Sequence, residues 1–82
     1  MVTYYVVVGF QLGKGGILIA EQPRQIHGSE AQCIGTARRM AETRAGVVAF
    51  SRKGSPTTGD WEDAVVLFQS GIVPEEMFAM AG

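Results

Sequence analysis

Residues that carry chemistry are scarce in this chain of 82 residues, which has one cysteine, one histidine and one tryptophan. A lone Cys33 excludes an internal disulfide, the usual support of small secreted domains, and predicts a reducing, cytoplasmic setting. A lone His27 leaves no His/Cys set from which a single chain could build a zinc site. Charge is sparse as well: seven basic and eight acidic residues give a formal net charge of -1, with no long-range pull on nucleic acid or an acidic membrane. No window approaches the roughly 20 apolar residues of a bilayer-spanning helix. The opening MVTYYVVVGF lacks the basic leader and small-residue cleavage site of a secretory signal. The expectation is therefore a cytoplasmic protein without membrane association. What the chain does have is a hydrophobic content of 46%, enough for an ordered core. The length predicts a single domain over residues 1–82. Such a domain buries only about 60 per cent of its unfolded surface, so oligomerisation is the readiest further source of stability.

β-Branched and aromatic residues dominate positions 2–10, the composition of a pleated strand. A second strand is expected over residues 17–22 and stops at Pro23, which has no amide hydrogen to give a ladder. Glycines between the two predict a β-hairpin. Ser29 and Gln32 then have the spacing of a capping box, opening a helix over about residues 29–45. Its buried stripe is Cys33, Ile34, Ala37, Met40 and Ala41, and Gly46 is placed to end it in the left-handed conformation. A third strand over residues 47–52, a Gly/Pro loop, a fourth strand over residues 61–70 and a short C-terminal helix opened by Pro74 complete the chain. The order is ββαββ, an α+β sandwich of two layers with one helix over one sheet face. The other face is expected to carry Tyr5 and Val7 with either Val48 and Phe50 or Val65 and Leu67. Met77, Phe78 and Met80 of the last helix would cover part of it. Stable monomers rarely keep such a patch wet, so Tyr5, Val7, Val48, Phe50, Met77 and Phe78 form the candidate interaction surface of a homodimer joined by sheet face or edge.

The stretch GFQLGKGGIL, residues 9–18, comes closest to a known functional motif. A phosphate loop needs G-x-x-x-x-G-K-[ST] between a strand and a helix, so that amides and a hydroxyl converge on the phosphates and magnesium. Here the first glycine interval is one residue short, Gly15 replaces the hydroxyl residue, and a strand follows. The favoured reading is a turn. Cys33 near a helix start, with His27 upstream, admits a reactive thiol, but its place on the apolar stripe favours a buried, inert one. Asp60, Glu62 and Asp63 around Trp61 lack the pattern of a calcium loop and read as a solvated strand end. Arg38, Arg39, Arg52 and Lys53, with Arg44, make a basic patch if the helix face and the loop end meet, and Tyr4 and Tyr5 would then offer stacking platforms. No acid, base and nucleophile set is visible, so no catalytic, cofactor-binding or metal-binding residue is assigned.

The run AGVVAFSRKGSPTTGDWEDAVVLFQSGIVPEE, residues 45–76, resembles the C-terminal half of small uncharacterised bacterial proteins of about this length. In these an alanine-rich helix leads into a G-V-V-A-F-S-R strand, a Gly/Pro/Thr loop and a closing G-x-V-P. The resemblance implies an independently folding bacterial cytoplasmic domain and carries over no site residue. The leading expectation is a self-associating module that acts through protein contacts, with no cofactor. The alternative is a small nucleic-acid- or ligand-binding domain that uses the open sheet, for which a pocket lined by Tyr4, Tyr5 and Trp61 would speak. An enzyme ranks third.

Overall fold

A computed structural model describes residues 2–74; Met77, Phe78, Met80 and the C-terminal helix expected around them lie outside the described residues. The fold is α+β, an antiparallel sheet of six strands with one helix packed on it. At its centre β1 (Val2–Leu12) runs against β4 (Gly46–Ser55), in register from Val2 opposite Gly54 to Phe10 opposite Gly46. The outer edge of β1 is taken by β2 (Leu18–Ala20) and β3 (Arg24–Ile26), and the outer edge of β4 by β5 (Asp60–Trp61) and β6 (Val65–Gly71). No helix among the described residues is long and apolar enough to cross a membrane.

Where the sequence predicts two strands on each side of the helix, the structure has three: the second strand ends at Ala20 and a further one, β3, forms beyond Pro23, and the strand expected over residues 61–70 is broken into β5 and β6. Between the pairs Phe10–Ala20 and Val7–Arg24, β1 advances three residues while its partner advances four. Pro23 lies in that gap, and without an N–H it cannot hold the ladder, so the extra residue bulges and pairing resumes at Arg24. On the other edge residues 62–64 leave the ladder between β5 and β6, and a register shift follows between Ala49 and Phe50. That shift leaves Leu67 unpaired, and both Leu67 and Phe68 pack against the core beneath the helix.

The helix α1 (Glu30–Ala41) begins as its residues dictate. Ser29 Oγ accepts from the Gln32 amide at 3.2 Å, and Gln32 Oε1 accepts from the Ser29 amide at 2.8 Å, satisfying two donors that the first turn leaves open. It ends sooner than the spacing predicts. The amides of Thr43 and Arg44 both fold back on the Met40 carbonyl, and Gly46 is the first residue of β4 rather than a left-handed helix terminator. Glycine is required at position 46 for a different reason: a Cβ there would collide with the Ile72 carbonyl.

Two apolar clusters lie on opposite faces of the sheet. Val7, Val47 and Ala49 meet Cys33 and Ala37 of α1, all fully buried. Val8, Phe10 and Val48 form the second cluster with Val6, Leu18, Phe50 and Val73 against them. Each fully buried valine or phenylalanine side chain contributes about 1.5–3 kcal/mol. The register corrects the expected interaction surface. Tyr5 lies opposite Ser51 and Val7 opposite Ala49 on the helix side, whereas Val48 and Phe50 lie opposite Val8 and Val6 on the other. These four residues do not share a face, because β1 and β4 both carry apolar side chains at alternate and intervening positions.

Candidate functional site

The glycine segment between β1 and β2 is a single turn of 3-10 helix, Lys14–Gly16, in which Gly15 and Gly16 have φ of 72° and 77°. Such values suit glycine and disfavour other residues. The Gly13 amide donates to the Ile17 carbonyl at 2.6 Å and the Gly16 amide to the Gly13 carbonyl at 3.3 Å. Amides that a phosphate would need are thus used within the turn, and a strand follows rather than a helix. The segment turns the chain.

Cys33 is fully buried between the sheet and α1, with its Sγ 4.0 Å from the Val6 carbonyl. Burial, and after it the charge of Glu30, pushes its pKa above the ordinary 9.0, which favours the inert thiol over the thiolate. Among the described residues no group of three or more His, Cys, Asp and Glu side chains could hold a metal ion. Glu62 and Asp63 instead line a recess of about 120 Å³ with Ser51, Lys53 and Val65. Lys53 lies opposite Thr3 on the helix side of the sheet and Arg38 and Arg39 lie on α1, while Arg52 lies opposite Tyr4 on the other side. The basic residues therefore stand on different surfaces and form no single patch.

What the open face does assemble is an aromatic corner. Trp61 lies opposite Gly54, and a Cβ on Gly54 would run into the indole, so the absent side chain lets the ring lie down on the sheet. Tyr4 stacks beside it, with ring centroids 5.4 Å apart and planes inclined by 29°. The Arg52 guanidinium sits 5.8 Å from the centre of the indole, and its Nε donates to the Glu62 carbonyl at 3.2 Å. Cation–π and stacking contacts of this kind contribute about 0.5–1 kcal/mol each at exposed sites. Tyr5 is absent from the corner, since it points to the helix side.

The second feature is the outer edge of β6. Residues 64–73, AVVLFQSGIV, contain no charged residue and no proline. Val65 is 59% exposed, Ile72 54% and Val66 38%. Among the described residues β6 pairs only with β4, leaving one row of backbone donors and acceptors without a strand partner. The opposite edge is different: β2 and β3 are three residues each, with Glu21 and Pro23 in the break and Arg24 just beyond it. The sequence predicts a dimer by sheet face or edge without naming which edge, and the charge-free run of residues 64–73 is the signal that singles out this one. No protein-family model matches the chain, and no curated protein or solved structure matches it.

Proposed function

We propose that this chain is a small self-associating interaction module, and that it forms a homodimer by pairing β6 with the β6 of a second copy. The observation that carries the reading is the edge of β6, which has no strand partner beyond β4 among the described residues and is flanked by exposed Val65, Val66 and Ile72. Natural edge strands are blunted by charge, proline, bulges or short length. The β2/β3 edge uses a break, a proline and charges; the β5/β6 edge also has a break, with Glu62 and Asp63 in it, but β6 itself is seven residues long without charge or proline and has only the bulge at Leu67. An antiparallel strand is also its own complement: rotated about a twofold axis, the same residues present the same donors to the same acceptors. Such pairing would continue the sheet across two protomers and take the exposed valines out of water. The cytoplasmic setting and the likeness of residues 45–76 to small bacterial proteins belong to the same proposal. The module's activity in this reading is contact rather than catalysis.

Light scattering on the eluting protein tests it. A mass of twice 8.8 kDa is expected, with Val66→Lys shifting the protein to the monomer and Ile19→Lys on the opposite edge leaving the dimer intact. A wild-type monomer at the highest soluble concentration, or a dimer that Ile19→Lys breaks and Val66→Lys does not, overturns the reading.

A further inference from the structure

The aromatic corner opens into a shallow trough of about 330 Å³ lined by Tyr4, Val6, Gln25, Phe50, Arg52 and Trp61. We infer that this trough is a binding site for a small planar aromatic anion, with the ring stacked on Trp61 and Tyr4 and the anionic group held by Arg52. The volume lies near the lower end of the range of about 300–1,000 Å³ for small-molecule sites, which combine an apolar lining with a few placed polar groups. Trp61 is seated on the backbone of Gly54 and, with Tyr4 and Arg52 against it, is still 37% exposed, so part of the indole is open to a flat ligand. Arg52 is the trough's only formally charged lining residue. Its Nε is engaged with the Glu62 carbonyl, while its two terminal amino groups have no acceptor among the described residues. A guanidinium fixed through Nε keeps that pair of donors for a carboxylate or phosphate.

The nearby carboxylates do not oppose an anion here, because Glu62 and Asp63 line the recess with Ser51 and Lys53 on the other face of the sheet. Asp60 lies opposite Ser55, in alternation with Trp61 opposite Gly54, and so faces away as well. Gln25 supplies an amide at the far end of the trough for a polar ring edge. A nucleic-acid strand fits less well than a small ligand. A strand needs a track of cations along its backbone, and Arg38, Arg39 and Lys53 do not stand on this face. None of the trough residues belongs to β6, although Phe50 at its wall pairs with Val66 of that strand, so the ligand titration is read on the protein with its β6 edge unaltered.

Trp61 is the only tryptophan in the chain, and its emission reports the site directly. Benzoate, nicotinate and AMP are titrated into the intact protein beside their uncharged counterparts benzamide, nicotinamide and adenosine, with excitation where only the indole absorbs. At least one anion is expected to give a saturable change, its neutral counterpart to bind about tenfold or more weakly, and Arg52→Gln to lose a similar factor. Circular dichroism and the melting temperature check that the variant folds, and the anion-to-neutral ratio on wild-type protein decides the matter if it does not. No saturation with any of the three anions, equal binding of the neutral counterparts, or undiminished binding by folded Arg52→Gln overturns the inference. Tighter binding of oligothymidylate than of AMP overturns it in favour of a strand.

Discussion

Under the helix, Val7, Val47 and Ala49 meet Cys33 and Ala37, and all five are fully buried. On the reverse of the same two strands Val8, Phe10 and Val48 are nearly as dry, yet Val6 and Phe50 are half-buried and Trp61 is exposed. The centre of the helix side is closed by small residues on both partners, and the larger Tyr5, Ile26, Met40, Leu67 and Phe68 pack around it. The reverse is closed at one end by a large residue, Phe10, with Leu18 and Val73 against its cluster. At the other end it opens towards Tyr4 and Arg52. The helix side thus has a fully buried centre with a ring of partly buried side chains around it, whereas the reverse is dry at the Phe10 end and opens towards Trp61.

The sharpest way to break this contrast is Phe10→Ala. Removing the largest fully buried side chain from the reverse face should cost about 3–5 kcal/mol, read from denaturant midpoints at constant slope. A loss under 1 kcal/mol, about the scale of a tolerated swap, would mean that the reverse face is not a core at all. Ala37→Leu probes the other side. Because Ala37 is fully buried against the sheet, overpacking should cost about 1–3 kcal/mol; a neutral or stabilising result would show slack beneath the helix and dissolve the distinction.

How far these features were legible follows from the residues themselves. The capping box at Ser29 and Gln32, the buried stripe through Cys33 and Ala37, and the glycine turn at residues 13–16 are local signals, and each was readable from spacing alone. Which alternate set of β1 lies under the helix was not, because Val6, Val7 and Val8 are the same residue. Only the register against β4 distinguishes them, and register is a property of pairing rather than of either strand. The stop at Pro23 was legible, but the return of pairing at Arg24 and the break at residues 62–64 were hidden for a similar reason, since a bulge appears only when two strands are counted against each other. Tyr4 and Trp61 were each visible as candidates for a pocket. Their stacking, and the presence of Arg52 rather than Tyr5 beside them, depended on the pairs Tyr4–Arg52 and Gly54–Trp61.

The smallest expected effect concerns the ion pair beside the closed face. Arg44 Nε donates to Glu21 Oε1 at 2.7 Å, and Gln11 donates to the other carboxylate oxygen at 2.6 Å. The hydrogen bond from Arg44 leads the interactions that hold the Glu21 carboxyl below its ordinary 4.5. A carboxyl depressed in the folded state adds stability above its unfolded pKa and loses it as pH falls through the folded value. Glu21→Gln should therefore flatten the fall in stability below about pH 4.5 while leaving the profile between pH 6 and 8 unchanged in shape, roughly the window where carboxyl groups no longer titrate. A parallel acid limb in wild type and variant would remove Glu21 as a contributor.

The turn at Lys14–Gly16 has a practical consequence for anyone wishing to extend the molecule. Strand β4 is paired with β1 only as far as Phe10, so the hairpin tip reaches past the body of the sheet, and a Cβ on Gly15 or Gly16 would meet nothing within 4 Å. Loop closure costs only about 0.6 kcal/mol for each doubling of loop length. New sequence spliced between Gly15 and Gly16 would leave both apolar clusters and the β6 edge untouched.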